Sequence, residues 1–225
     1  MTSNRVPFID LIRFLGIFLM IIFHFSYDLH LFDLGFISTF NKYFWNWFPK
    51  FIVFTFMLSM GLSLGINKSS KVYTASFIDS QIKLSICSLM ISVATYFLFP
   101  SRWIYFGTLH CILICRFLIA PIRKHPHLCL FLAIGINTPL FFAFKYPWLK
   151  LDHNSMDYIP LLPWISYGLL GVYLAHTRIL KIGSKIGEIK VVQSMSKNSL
   201  IIYMVHQPIL YGLANLIHLV KKSIL

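Results

Sequence analysis

Seven apolar runs dominate this chain of 225 residues, each close to the roughly 20 residues that a helix needs to cross a bilayer. They lie at about 8–29, 45–66, 76–99, 103–122, 127–145, 158–177 and 198–219. Runs so long and so numerous cannot all be folded into one soluble core. The composition agrees, being 57% hydrophobic with only 12% charged residues, about half the charged share of an ordinary soluble domain. The expected fold is all-α, a polytopic transmembrane helical bundle of about seven spans, forming a single domain over 1–225 with the lipid bilayer as its main partner. Trp45, Trp47, Trp103, Trp148 and Trp164 fall at or near the ends of these runs, as in an interfacial aromatic belt. No internal repeat or low-complexity linker interrupts the pattern.

The formal net charge of +13 does not point to nucleic acid. Most Lys and Arg residues sit in short breaks between apolar runs ("NKSSK", "IRKHPH", "RILKIGSKIGEIK"), and no basic stripe is interleaved with aromatics on a soluble face. Counting alternate loops puts Arg5, Lys68, Lys71, Arg123, Lys124, Arg178, Lys181, Lys185, Lys190 and Lys197 on one side. The other side has Lys42, Lys50, Arg102, Lys145, Lys150, Lys221 and Lys222, diluted by Asp33, Asp152 and Asp157. Under the positive-inside rule that bias predicts the N-terminus inside. The first run lacks a small-x-small cleavage site and is expected to be retained. Cys87, Cys111, Cys115 and Cys129 all lie within apolar runs; they read as buried free thiols, and no metal site is expected.

The first run, "FIDLIRFLGIFLMIIFHFSYDL", keeps four ionisable groups: Asp10, Arg13, His24 and Asp28. At about 100° per residue they fall within roughly 60° of one another, so they form one stripe facing the bundle interior or a wet cavity. Asp10 and Arg13 are spaced to pair, as are His24 and Asp28. Arg13 and His24 are eleven residues apart, about 16 Å along the axis. Two readings stand. The stripe can be the two ends of a path for a long anionic ligand, or two pairs that anchor the helix to its neighbours.

Three further positions add to the stripe. His110 lies in "YFGTLHCILI", His206 in "SLIIYMVHQPIL", and Arg116 further along the fourth run. Histidines in several spans together with two arginines favour a site over isolated core residues. His218 is close to a span end, where interfacial anchoring accounts for it. Asp79 and Lys83 are spaced i, i+4 with the acid first, which suits an interfacial ion pair. In "YIPLLPWISYGLLGVYLAH", Pro160 and Pro163 read either as a helix entry or as a break whose freed carbonyls line a cavity. Gly168 and Gly171 allow close helix packing.

These segments resemble a known family. "RVPFIDLIRFLGIFLMIIFHFSYDL" is similar to the R-x-x-x-x-D-x-x-R-G opening of the heparan-alpha-glucosaminide N-acetyltransferase catalytic-domain family and its bacterial relatives. "FGTLHCI", "YIPLLPWISYGLLGVYLA" and "KNSLIIYMVHQPIL" follow in the family's order, so the resemblance touches most of the chain from Arg5 to about Leu210. The Arg, ten residues, His spacing of Arg13 and His24 also resembles the wider acyltransferase-3 group of membrane acyltransferases. Two departures stand out. Phe14 occupies the place of the family's Gly, with Gly16 two residues on, and "TFNKYFWNWF" lacks the histidine that the lysosomal members carry before their second span.

The resemblance implies an integral membrane acetyltransferase, with acetyl-CoA as acyl donor and no metal. It implies His24 as catalytic base, with Asp28 orienting it and His110 as a second site residue. It implies Arg13 as a cofactor-side contact, with Asp10 beside it, and by charge the phosphates of acetyl-CoA also suit Arg116 and Lys83; His206 matches a motif histidine without an assigned role. Expected partners are a small-molecule or glycan acceptor, the bilayer and, as a candidate homodimer, a second copy of the chain, in a bacterial inner membrane. The competing readings are a small proton-coupled transporter, against which the missing repeats count, and an inactive structural relative.

Overall fold

The computed structural model describes residues 6–34, 42–181 and 184–224. Arg5, which opens the family motif, and the first residues of "TFNKYFWNWF" lie outside them. The described residues fold mainly into helices, with no strand among them. The elements are α1 (Pro7–Leu31), α2 (Lys42–Gly65), α3 (Ala75–Leu98), α4 (Thr108–Ile119), α5 (Pro126–Phe141), α6 (Leu161–Ala175), the single turn α7 (Ser184–Gly187), α8 (Lys190–Lys197) and α9 (Ser199–Ile224).

A helix stands at each of the seven apolar runs. Four have both the length and the apolar composition of a membrane span: Pro7–Leu31, Phe44–Gly65, Ala75–Leu98 and Ser199–Ser223. Their outward faces carry bare hydrocarbon, as at Leu89, Phe97, Ile201, Ile209 and Leu216, all more than half exposed. Apolar surface on that scale is stable in lipid and not in water. The protein is an integral membrane protein.

The other three helices, Thr108–Ile122, Pro126–Phe141 and Leu161–Ala175, are shorter than the sequence suggests. Fifteen residues rise about 22 Å, short of a hydrocarbon core of about 30 Å. The reason is visible at their ends. Residues 103–107 were expected to open the fourth helix, but Gly107 is extended and this segment runs beside 156–159 instead. The Met156 N–H donates to Arg102 O at 2.9 Å, the Ile159 N–H donates to Phe106 O at 3.0 Å, and Phe106 bridges Tyr158 in parallel. The helix then begins at Thr108, whose N–H donates to Asp157 Oδ2 at 2.7 Å. A carboxylate 49 residues away thus acts as the N-cap. At α6, Pro160 is the extended N-cap and Leu162 is non-helical (φ −96°, ψ 132°), so regular helix starts at Pro163. The helix-entry reading of the two prolines fits this backbone.

The chain forms two compact units. The first comprises 1–55 and 185–225; here α1 packs along α8 and α9. Pro7 starts α1 with its φ already suited to a helix, and Asp10 sits in the first turn, where the helix dipole favours an acid. The backbone of Pro7 touches Gly187 so closely that a Cβ on that glycine would overlap the Pro7 carbonyl. The second unit comprises 56–184. In it the C-terminal turns of α2 meet α6 backbone to backbone, with Gly61 against Gly168 and Gly171 against Leu58 and Leu62. Gly168 and Gly171 do provide the close packing that small residues allow between membrane helices. Arg123 is buried in this unit to 2% exposure and donates to Ala120 O, Ser69 O and Lys71 O. It is a strut holding the 69–71 loop, although its sequence position reads as a solvated loop charge.

Candidate functional site

Along α1 the buried residues are Phe8, Ile9, Asp10, Gly16, Ile17, Met20 and Asp28, with Arg13 and His24 half-buried. The polar stripe therefore coincides with the packed face, while Phe18, Ile22 and Leu31 point away from it. Three of its four ionisable groups are tied to neighbouring helices. Ser196 of α8 donates to Asp10 Oδ1 at 2.6 Å and accepts from Arg13 Nη1 at 3.4 Å, so the acid and the base meet through one hydroxyl. Asp28 is fully buried, and both its oxygens accept from the side-chain amide of Gln207 on α9, at 2.9 and 3.2 Å. Burying a carboxyl group is tolerable only when its oxygens are hydrogen-bonded. The pair thereby locks the last turns of α1 to α9.

His24 differs. It makes no hydrogen bond among the described residues, and Asp28, the residue expected to orient it, is directed to Gln207 instead. Its ring stands 5.4 Å from Phe23 and 4.8 Å from His206 of α9, edge-on to both. Phe23 in turn packs on Trp45 and Phe48 of α2. His206 is nine-tenths buried, its Nδ1 2.7 Å from Tyr203 O. A carbonyl only accepts, so Nδ1 carries the proton and Nε2 presents a lone pair. That Nε2 is buried with no hydrogen-bond partner among the described residues, as is Gln207 Oε1. An unmet buried acceptor costs about 1–3 kcal/mol, which makes such atoms informative. The first unit therefore holds a pair of touching imidazoles at the centre of an otherwise hydrogen-bonded stripe.

The second unit holds the remaining expected site residues in settled surroundings. Nδ1 of His110 accepts from the Gly107 N–H at 3.2 Å, closing the first turn of α4, and its Nε2 lies 3.1 Å from Ser92 Oγ. Ser92 donates its own proton to Ile104 O at 2.7 Å, so the His110 Nε2–H donates to Ser92. Both ring nitrogens are occupied in holding α3, α4 and the 104–107 loop together. Arg116 donates to Ser80 Oγ at 2.8 Å and lies over the Phe77 ring. Lys83 pairs with Asp79 at 2.8 Å, both side chains largely exposed, which is the i, i+4 ion pair that the spacing suggested. A cavity of about 210 Å³ between α5 and α6 is lined mainly by Leu130, Ala133, Ile134, Phe141 and Leu170, and no titratable acid or base reaches it apart from the phenol of Tyr167.

The four cysteines are free thiols, three of them buried, and no cluster of metal-binding side chains occurs among the described residues. Sequence reasoning overlooked Ser196, Gln207, Asp157 and the buried role of Arg123. Only Gln207 carried a signal, as the polar neighbour of His206 in an apolar run.

A comparison with family models matches residues 5–208 to heparan-alpha-glucosaminide N-acetyltransferase, catalytic. The chain belongs to that family. Neither the curated proteins nor the solved structures contain a match. The N-acetyltransferase match takes in both units and every site residue discussed above, from Asp10 to Gln207. Membership, with the lipid-facing helices, makes this an acetyltransferase-type membrane protein. What a pair of imidazoles can contribute to such a protein is proton transfer near neutral pH, or nucleophilic attack.

Proposed function

We propose that the protein moves an acetyl group from cytoplasmic acetyl-CoA to a hydroxyl or amine of a sugar or lipid-linked glycan, across a bacterial inner membrane with its N-terminus inside. One observation carries this reading: in a member of an N-acetyltransferase family, His24 is the member of the α1 stripe that no hydrogen bond ties down among the described residues. A half-buried imidazole against Phe23 is available to take the proton of an attacking O–H or N–H. The acceptor atom then bonds to the acetyl carbon, the C–S bond breaks, and the thiolate leaves with the proton that His24 returns.

The residues present suit a polyanionic donor. Arg13 lies about 16 Å along α1 from His24, and the start of α1 touches Gly187 of α7 and packs on α8, two elements on which Lys185, Lys190 and Lys197 are exposed. Guanidinium and ammonium groups are the natural partners of phosphates. Asp10 and Ser196 hold Arg13 in place. Arg116 and Lys83 are engaged by Ser80 and Asp79 in the other unit.

The test is transfer of label from [14C]acetyl-CoA in membranes carrying wild type or His24→Ala, with amino sugars and cell-envelope extract as acceptors. Label entering an acceptor in the wild type alone supports the reading. Label held on the wild-type protein without acceptor, and lost in His24→Ala, identifies an acyl-histidine. Equal transfer by both proteins removes His24 from the reaction.

A further inference from the structure

The fully buried acid that sequence spacing offered as the partner of His24 is spent elsewhere, since both oxygens of Asp28 accept from Gln207. A base that gains a proton becomes an imidazolium with two N–H groups, and only one of them faces the substrate. The other needs an acceptor, and in a low-dielectric setting that acceptor matters more than it would in water. The structure holds one beside His24. His206 presents its Nε2 lone pair, buried and without a partner among the described residues, on a ring 4.8 Å from the His24 ring. Its orientation is set from behind, because Nδ1–H donates to Tyr203 O at 2.7 Å. Nucleophile or base, neighbour, and a third group that fixes the neighbour is the general logic of an oriented catalytic imidazole.

We propose that His206 is the positioning residue of His24: its Nε2 accepts the second N–H of His24 as His24 takes up the acceptor's proton. The step rests on the acetyl-transfer reading above. One proton moves from the acceptor to His24 and later to the departing thiolate; His206 keeps its own proton on Nδ1 throughout, so it shares a hydrogen bond and transfers nothing. The groups facing His24 are few. From α9 come His206 and, beyond it, Tyr203; from α1 itself comes Asp28 one turn on, bonded to Gln207. The α2 side contributes Phe48 and Trp45, which pack on Phe23 and carry no titratable group. Asp10 and Arg13 meet α8 through Ser196, three turns or more from His24. Among the described residues no other base competes for the role at this level of the helix.

The experiment compares wild type, His206→Leu and His206→Gln, full length, in nanodiscs. His206→Leu is expected to lower kcat by about 10²-fold while leaving KM for acetyl-CoA unchanged. His206→Gln, whose carbonyl can accept the same N–H, is expected to recover about tenfold of that loss. The readout independent of activity is an NMR spectrum with 15N-labelled histidine at a pH where His24 is protonated, assigned with His24→Gln. A hydrogen-bond coupling between a His24 N–H and His206 Nε2, absent in His206→Leu, supports the proposal. The proposal is overturned if kcat falls equally in Leu and Gln variants along with the melting temperature, or if the His24 N–H shows exchange with water in place of the coupling. A wild type that shows the coupling but transfers no acetyl group sinks the enzyme reading and leaves the imidazole pair standing. Full transfer by His206→Leu does the reverse.

Discussion

His110 in the 56–184 unit and His206 in the 1–55, 185–225 unit are both histidines placed in apolar helices within a family motif, and their surroundings differ in kind. His110 has a donor on one nitrogen and an acceptor on the other, each inside its own unit. Among the described residues His206 has a partner on Nδ1 alone; its Nε2 is buried without one, on a ring 4.8 Å from that of His24. A satisfied buried histidine is a rivet; one with an unmet lone pair is a site that evolution or chemistry has left open. Sequence context does not separate the two. Hydrogen-bond accounting does.

The sharpest way to break the contrast is to remove each imidazole in turn. His24→Ala is expected to abolish transfer, by about 10²- to 10⁴-fold if it is a general base, with little change in melting temperature, measured on the same membranes by label transfer and thermal unfolding. His110→Leu is expected to behave oppositely. It strands the Gly107 N–H and the Ser92 hydroxyl and so lowers stability by about 1–3 kcal/mol, while the folded fraction keeps its kcat. If His110→Leu folds normally and fails to turn over, His110 belongs with His24 and the contrast collapses.

The tied groups of the stripe give the next, smaller effect. Gln207→Leu leaves Asp28 buried without its donor and is expected to cost about 1–3 kcal/mol in urea- or heat-induced unfolding. The double change Asp28→Leu with Gln207→Leu should recover most of that loss, because removing both partners leaves no orphan. A double variant as unstable as the single one would mean that the pair is not what holds α1 to α9. Asp157→Ala removes the long-range cap of α4 and should cost about 0.5–2 kcal/mol. The smallest effect is expected at Lys83→Ala. An exposed i, i+4 pair is worth about 0.3–0.5 kcal/mol, and KM for acetyl-CoA should not change. A raised KM there would restore Lys83 to the donor site.

Much of this was legible before any coordinates. A helix stands at each apolar run, although three are shorter than the runs themselves, because a run of apolar side chains without water has to satisfy its own backbone. The α1 stripe was readable too: positions 10, 13, 24 and 28 share a face through helical geometry alone, and that face is the packed one. What each stripe residue bonds to was not readable. Ser196 lies 186 residues from Asp10, and Gln207 lies 179 from Asp28. No local pattern links positions so far apart, and i, i+4 spacing suggested His24 for Asp28 where the fold supplied Gln207. The shortening of α4 has the same origin, since Asp157 caps it from across the unit.

The sequence by itself determined that this chain lives in a membrane, where its helices fall, which family it resembles and which face of α1 is polar, because each follows from side-chain transfer energies and a 3.6-residue period acting over a few turns. Only the tertiary structure decided which polar groups are partners and which are left open. That choice depends on which helices meet and at what register, and a shift of one residue in α9 would turn His206 about 100° away from His24.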